Sequence, residues 1–233
     1  MSSNPCAGGR ATILGIGTAV PVHVYEQKSF PDYYFEITDS NHLVDLKAKF
    51  ANIYFPRAAR AWPDPTTAAS DGECPMFELV RASRDVIPGT DNAVVVKVRQ
   101  EGVVITMHRD VPLHVSNAIG GVVKSAFHEI DTKITSYNEA FWLLHAGGRG
   151  IVDGVEEKLG LGEEKLAATR EVMRQYGNTR SSTIFLAMEE MRRRSEERRM
   201  ATAGEGLEWG MLIAFGPGLT LETMLLRAMP RNN

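Results

Sequence analysis

The sequence predicts an α/β protein in which strands and helices alternate and the final two strands are antiparallel neighbours. Two runs, Ala140–Leu144 and Met211–Phe215, are apolar at every position, which is typical of strands buried on both faces. Val115–Ile130 places its apolar side chains at helical spacing, which predicts an amphipathic helix. Gly216-Pro217-Gly218 separates the last two strands and predicts a tight turn between them.

The other elements follow from the same kinds of pattern. Ala11–Val20 is an apolar, glycine-containing run closed by proline, and it predicts one buried strand. Residues 38–50 predict a capped helix with one apolar face. The rest of the chain predicts strands Met76–Ala82, Trp209–Phe215 and Leu219–Met229, a hairpin of Ala93–Val98 with Gly102–Met107, and helices Ile151–Leu159, Glu163–Tyr176 and Ser181–Met200.

Composition and charge limit the classes of function. With 233 residues, the chain can form one large or two small domains with a sizeable core. The formal net charge of -3 points to neither nucleic acid nor an anionic membrane surface, although a local basic pocket can still hold an acidic molecule such as coenzyme A. No stretch reaches the ~20 apolar residues of a membrane span, and the N-terminus lacks a signal-peptide core. Two cysteines, Cys6 and Cys74, suit a reducing compartment, so we expect a cytoplasmic protein.

One stretch interrupts the regular pattern. Residues 51–75 hold four of the eleven prolines and sustain neither a strand nor a helix period. Because long structureless stretches are unusual inside a compact domain, we predict a boundary here. The predicted organisation is residues 1–50 as one unit, residues 51–63 as an irregular junction and residues 64–233 as the larger unit.

His145 is the first candidate for chemistry. It follows a predicted buried strand and precedes two glycines and a predicted helix. In open α/β sheets, ligands bind beyond the carboxyl ends of strands, and glycines let a ligand approach the backbone closely. The alternative is a histidine whose polar groups are satisfied within a loop.

Asn178 is the second candidate, between two predicted helices. Its side-chain amide can donate a hydrogen bond to a developing oxyanion. The alternative is local, because Gly177 is a natural helix end and either Asn178 or Ser181 can cap the helix that follows.

Three other features favour structural interpretations. Gly216-Pro217-Gly218 is by itself a turn. Arg192–Arg194, Arg198 and Arg199 are interleaved with glutamates and predict a solvated, salt-bridged helix face. Cys74 precedes a proline in the irregular stretch, and nothing around it supplies the electropositive setting that a catalytic thiolate needs.

Several motifs occur in a fixed order along the chain. ATILGIGTAVP, PDYYFEIT and HLVDLKAKF come first; around Asp64 and beyond, PDPT, PMFELV, WLLHAGGRGIVDGVEEKLGL, EEKLAATREVMRQYGN, TAGEGLEWG and FGPGLT follow. The first group resembles the N-terminal opening of the plant type III polyketide synthases of the chalcone and stilbene synthase family. The second group resembles the C-terminal half of that family. On this resemblance, residues 1–50 are a remnant of the N-terminal half and residues 64–233 are the C-terminal half.

The resemblance implies a fold, an activity and a site. The implied fold is thiolase-like, with αβαβα layers. The implied protein is a homodimer that condenses a starter acyl-CoA with malonyl-CoA, and the resemblance implies no metal or other cofactor. In the family, a cysteine thiolate carries the growing chain, and a histidine and an asparagine stabilise the thioester enolate; the matching positions are His145 and Asn178. The implied substrate pocket is lined by Val96, Ile105, Gly147, Gly148, Phe215, Gly216, Pro217 and Gly218.

The departures from the family pattern centre on the nucleophile. The block between the N-terminal opening and PDPT is absent; in the family it holds the cysteine, a gatekeeping phenylalanine, a methionine that reaches into the partner's cavity, and basic residues for the CoA phosphates. Ile105 stands where a phenylalanine is usual, Val96 where a glycine is usual and Ala146 where a proline is usual. TRSST follows the asparagine in place of a run of small residues. These changes narrow or reshape any pocket.

Three functional hypotheses follow from the resemblance. The first is a polyketide-forming acyltransferase that is inactive or impaired, because loss of the nucleophile removes covalent catalysis. The second is a misjoined gene model or pseudogene of an active enzyme, whose exposed apolar surface predicts poor solubility. The third is a non-catalytic partner that forms a heterodimer with an intact synthase. A fourth interpretation, an unrelated small α/β binding domain, requires the motif agreement to be accidental.

Overall fold

The computed structural model of the chain describes residues 12–13, 18–19, 30–37, 39, 41–42, 44, 47, 60–61, 75–99, 102–128 and 134–231. Cys6, Cys74 and most of the helix predicted over residues 38–50 lie outside these residues.

A five-stranded sheet forms the centre of the described part. Its strands, from one edge to the other, are β1 (Thr12–Ile13), β4 (Phe77–Val86), β9 (Thr220–Ala228), β8 (Trp209–Gly216) and β7 (Phe141–Leu144). Neighbouring strands are antiparallel except β7 and β8, which are parallel. Two smaller sheets pair β2 (Thr18–Ala19) with β3 (Arg60–Ala61) and β5 (Val94–Arg99) with β6 (Gly102–Met107).

The described residues also form five α-helices and two short 3-10 helices. The α-helices are α1 (Phe30–Ile37), α2 (Val111–His128), α3 (Arg149–Leu159), α4 (Ala167–Tyr176) and α5 (Ser182–Glu197). The 3-10 helices are Tyr137–Glu139 and Glu163–Leu166. None of these helices combines the length and apolar character that crossing a bilayer requires.

Helices cover the central sheet on both faces. Within β7, Trp142 and Leu144 pack in one core cluster with α2 and α3, whereas Phe141 and Leu143 pack in another with α4 and α5. All four side chains are at most 1% exposed, as expected for an apolar strand buried on both faces. The described part therefore has three layers, with two helices on each side of one sheet.

Most predicted elements are confirmed with shifted ends. The hairpin of β5 and β6 forms as predicted, and β4 continues past the predicted end at Ala82 to Val86. Helix α2 begins at Val111, ahead of the predicted start, because Val111 is fully buried and Pro112 is compatible with the first turn of a helix. The predicted helix Glu163–Tyr176 divides into a 3-10 helix and α4.

The prediction of one strand over Ala11–Val20 is wrong. The described residues form two short strands that pair in different sheets, β1 with β4 and β2 with β3. Gly15 and Gly17 separate these strands in the sequence, and glycine weakens the interior of a strand. Helix α1 at Phe30–Ile37 was not identified from periodicity.

The salt-bridged face predicted for Arg192–Arg194, Arg198 and Arg199 is confirmed for two of these arginines, both on α5. Arg192 pairs with Glu189 at 2.7 Å and with Glu196 one turn further on. Arg193 likewise pairs with Glu190 at 2.9 Å and with Glu197. These pairs lie along one helix and are partly or fully exposed, so each contributes little to stability.

Two glycines of the GEGLEWG motif leave room for the ring of Phe141. A Cβ on Gly204 would lie 2.4 Å from Phe141 Cδ1, and a Cβ on Gly210 would lie 2.2 Å from its Cδ2. Both distances are far shorter than a carbon–carbon contact of about 3.5 Å. The ring is fully buried and packs on Phe77 with centroids 5.6 Å apart. The motif therefore determines how closely the start of β7 packs on β8.

Candidate active site

Two parallel strands end side by side and position the candidate residues. β7 pairs with β8 as far as Leu144 and Ile213, and the His145 N–H donates to the Ile213 carbonyl at 2.8 Å. His145 and Phe215 therefore lie at the carboxyl ends of neighbouring parallel strands. Ligands of open α/β sheets bind at such positions.

A buried threonine of α4 holds the end of β7. Because β7 is the outermost strand of the central sheet among the described residues, no described strand pairs with its other edge. The Thr169 hydroxyl accepts from the Leu144 N–H at 3.3 Å and donates to the Leu144 carbonyl at 3.1 Å. Thr169 is fully buried. Sequence reasoning missed this residue, for which the one available signal is a polar side chain on the buried stripe of α4.

His145 is buried and uncharged at neutral pH. It is 7% exposed, and the Phe215 ring meets it edge-on with centroids 4.8 Å apart. Burial lowers the pKa of His145 to about 4, and a hydrogen bond with the Arg180 backbone opposes that shift. Because this bond favours the protonated ring, the ring is its donor and the Arg180 carbonyl is its acceptor. The other nitrogen of the neutral ring is then an acceptor.

Asn178 connects the loop after β7 with the loop before α5. Its Nδ2 donates to the Gly147 carbonyl at 3.1 Å, and its Oδ1 accepts from the Arg180 N–H at 2.9 Å. Hydrogen bonds thus link His145, Arg180 and Asn178 in one group. A side-chain amide nitrogen carries two N–H donors, so Asn178 has a second donor besides the one directed at Gly147.

Helix capping accounts for Gly177 but not for the Asn178 side chain. Gly177 ends α4 with φ of 70°, and its N–H donates to the Met173 carbonyl at 3.0 Å, as expected for glycine at a helix end. Ser181 occupies the N-cap position of α5, without a side-chain hydrogen bond to the helix. The Asn178 amide instead bonds Arg180 ahead of the helix and reaches across to Gly147.

Close packing at Gly147 holds the Phe215 ring against His145. A Cβ on Gly147 would lie 2.3 Å from Cζ and 2.9 Å from Cε2 of Phe215, and 3.1 Å from Cδ1 of Ile151. Only glycine leaves room for the ring at this distance. The next residue, Gly148, is the N-cap of α3, and a Cβ there would meet nothing within 4 Å.

The remaining predicted pocket residues lie on two hairpins. Gly216-Pro217-Gly218 forms the turn between β8 and β9, and the Thr90 hydroxyl accepts from the Leu219 N–H at 2.7 Å just after this turn. Val96 and Ile105 are cross-strand partners in the hairpin of β5 and β6.

The burial of these hairpin residues differs. Ile105 packs on the core cluster that also supports Phe215, whereas Val96 is 45% exposed. The structure thus brings His145, Gly147, Asn178 and Phe215 into one contact group. The pocket role of the hairpin residues stays a prediction.

The fold and the candidate site describe the class of protein: an α/β protein with a buried imidazole and an amide donor near the carboxyl ends of two parallel strands. The family model for the C-terminal domain of chalcone and stilbene synthases matches residues 78–230. The model for the N-terminal domain of the same family matches residues 1–57. The chain belongs to the chalcone and stilbene synthases, a family of type III polyketide synthases. The thiolase-like α/β fold expected from the resemblance is confirmed with it.

Proposed function

We propose that this chain binds malonyl thioesters at His145 and Asn178 and promotes their decarboxylation without extending a polyketide. In the family, the same step supplies the enolate that condenses with a starter acyl unit. The observation that supports the proposal is the hydrogen-bonded group of His145, Arg180 and Asn178. It keeps an imidazole and an amide donor beside each other at the carboxyl ends of β7 and β8.

The proposed step is loss of carbon dioxide from the malonyl group. The bond between the carboxylate carbon and the methylene carbon breaks, and its electron pair forms a thioester enolate with the negative charge on oxygen. A proton from water then converts the enolate to an acetyl thioester. A fixed donor at the enolate oxygen is typically worth about 3 kcal/mol, and the second N–H of Asn178 supplies such a donor.

The uncharged state of His145 limits its part in this step. In the family, the histidine keeps the cysteine thiolate ionised, and a neighbouring anion favours the protonated ring. Here burial lowers the pKa of His145, and the contact that opposes the shift comes from a neutral carbonyl. A neutral ring that donates to Arg180 has only an acceptor left. We therefore expect slow decarboxylation, with Asn178 as the main donor.

Polyketide extension needs a nucleophile that holds the growing chain. The two cysteines of this sequence are Cys6 and Cys74, and neither lies in the family's nucleophile motif. Without an activated sulfur, covalent catalysis is lost. Acylation of Cys74 by an acyl-CoA analogue, next to His145 in the folded protein, would contradict this part of the proposal.

The test is incubation of the purified chain with malonyl-CoA, alone and with a starter acyl-CoA. We expect acetyl-CoA in both reactions and no polyketide. Asn178→Ala should lower the rate of acetyl-CoA formation by at least ~10-fold, because the main donor is lost. A polyketide product above the buffer control would refute the proposal, as would an unchanged rate in Asn178→Ala.

Asn138→Ala is the matched control. Asn138 also bonds two backbone groups, the Gly160 carbonyl at 2.8 Å and the Gly162 N–H at 2.7 Å, but it precedes β7 at the opposite end of the strand. Its loss should affect stability and leave the rate per folded molecule unchanged.

Exposed apolar side chains favour a second candidate, a non-catalytic partner of an intact synthase. Val86, Met107 and Leu113 are 62%, 50% and 56% exposed, and apolar side chains of this size mark an interaction site where they form a contiguous patch. Co-purification with a full-length relative would support a heterodimer, and a monodisperse, cooperatively melting monomer that binds no relative would contradict it. Sequencing the transcript over residues 45–70 tests whether a misjoined gene model removed the nucleophile block.

A further inference from the structure

Arg180 adjoins both residues of the candidate site, and the proposed decarboxylation does not use its side chain. It lies in the TRSST stretch that replaces a small-residue run of the family. Its N–H donates to Asn178 Oδ1 at 2.9 Å, and its backbone also bonds the His145 ring. The Arg180 backbone is therefore between the two residues proposed to hold the thioester.

The Arg180 side chain is exposed, and within the described ranges no carboxylate pairs with it. Arg170, by contrast, pairs with both Asp153 at 2.7 Å and Glu156 at 3.0 Å. The Arg180 backbone has φ of 59°, a left-handed conformation that is uncommon outside glycine, asparagine and aspartate. The Arg180 backbone is held beside the two residues proposed to contact the thioester, and a guanidinium that no described carboxylate pairs with is suited to binding an anion.

Malonyl-CoA offers two kinds of anionic group, the malonyl carboxylate and the CoA phosphates. The carboxylate is joined to the thioester carbonyl by a single methylene, whereas the pantetheine arm separates the phosphates from it. Because Arg180 adjoins the residues that contact the thioester, the carboxylate is the group nearer to it. A planar guanidinium binds a carboxylate in a bidentate pair, which neither lysine nor a neutral residue reproduces.

We propose that Arg180 recognises the free carboxylate of a malonyl-type thioester and makes the site selective for carboxylated over uncharged acyl thioesters. The inference rests on the proposed function of His145 and Asn178. It has a consequence for rate. The guanidinium stabilises the bound carboxylate more than the transition state, in which carbon dioxide leaves without charge, so Arg180 also slows decarboxylation.

Isothermal titration of the full chain with malonyl-CoA, acetyl-CoA and free CoA tests the inference. We expect malonyl-CoA to bind about tenfold more tightly than acetyl-CoA, as for a charge-assisted hydrogen-bonded pair. Arg180→Asn should abolish this preference and leave the affinities for acetyl-CoA and CoA unchanged. Asparagine is neutral and tolerates the left-handed backbone. Arg180→Lys should keep part of the preference, because it keeps the charge but not the bidentate geometry.

Arg199→Asn is the matched control. Arg199 is also exposed and also has a left-handed backbone, with φ of 53°. It lies beyond the opposite end of α5, a helix of 16 residues, which is a length of about 24 Å. The substitution removes the same charge far from the site and should leave the preference for malonyl-CoA intact.

The outcomes separate this inference from the proposed function. If no CoA thioester binds, both fail. If malonyl-CoA and acetyl-CoA bind the unsubstituted chain equally, only carboxylate recognition fails. Equal weakening of all three ligands by Arg180→Asn would assign Arg180 to the CoA phosphates and overturn the inference. If Arg199→Asn also abolished the preference for malonyl-CoA, net charge and not Arg180 would explain that preference, and the inference would again be overturned.

Discussion

Gly147→Ala tests how the candidate site is packed. The new Cβ would lie 2.3 Å from Phe215 Cζ and 2.9 Å from Cε2, where a relaxed carbon–carbon contact is about 3.5 Å. Moving the ring away would disturb its packing on His145, where the centroids are 4.8 Å apart. Ile151 adds a third close contact at 3.1 Å.

The expected effect follows from overpacking. Extra methyl groups in well-packed sites typically cost about 1–3 kcal/mol. For a chain of this length, each kcal/mol corresponds to a fall in Tm of about 2–4 °C. We therefore expect Gly147→Ala to unfold several degrees below the unsubstituted chain and to displace Phe215 from His145.

A double-mutant cycle measured by urea denaturation identifies the cause. Leucine lacks the Cζ and Cε2 atoms, so in a Phe215→Leu background Gly147→Ala should cost less than about 1 kcal/mol. The coupling energy should be about 1–2 kcal/mol. Gly121→Ala is the control: a Cβ at this exposed position of α2 meets nothing within 4 Å, so alanine should stabilise the helix by up to about 1 kcal/mol.

The packing explanation is refuted if Gly147→Ala costs the same in both backgrounds. Equal costs would mean that Phe215 does not oppose the new methyl group. A cost no different from that of Gly121→Ala would refute it as well.

Three further predictions concern the same sheet. Thr169→Val should lower the unfolding free energy, measured in urea, by about 1–3 kcal/mol, because the N–H and the carbonyl of Leu144 both lose their partner. Thr169→Ser keeps the hydroxyl and should therefore keep most of this free energy. Gly210→Ala should lower Tm, followed by circular dichroism, because its Cβ would meet the buried Phe141 ring at 2.2 Å. The folded pKa of His145, about 4, is below its ordinary 6.5, so the unfolded chain is protonated first. Stability should therefore fall by about 3 kcal/mol from pH 6.5 to 4, and His145→Gln should remove this part of the pH dependence.

Each of these predictions has a contradicting result. The hydrogen-bond argument is contradicted if Thr169→Val is as stable as Thr169→Ser. The packing argument is contradicted if Gly210→Ala has an unchanged Tm. The protonation argument is contradicted if His145→Gln keeps the original pH dependence. Carboxylates titrate in the acidic range too; the hydrogen bond from Arg174 lowers the pKa of Glu171 to about 2. The contribution of His145 is therefore the difference in unfolding free energy between the unsubstituted chain and His145→Gln at each pH.

The sequence by itself determined most of the elements after residue 75, and it determined the family. The apolar runs at Ala140–Leu144 and Met211–Phe215 correspond to β7 and β8, because a strand covered by helices on both faces must be apolar at every position. The motifs around His145 and Asn178 identify the family from the sequence alone, because their residues and their order along the chain resemble its pattern. Where strand pairing mattered, local reasoning failed: Ala11–Val20 contains two strands in two sheets.

Only the tertiary structure decided how the candidate site is arranged. His145 and Asn178 are far apart in sequence, and no local pattern shows that Arg180 bonds both of them. The role of Thr169 depends on β7 being the outer strand, which the strand order determines. The charge of His145 is set by burial beside Phe215. Strand order, burial and contacts between distant loops are properties of the whole packed chain, and a local sequence pattern does not contain them.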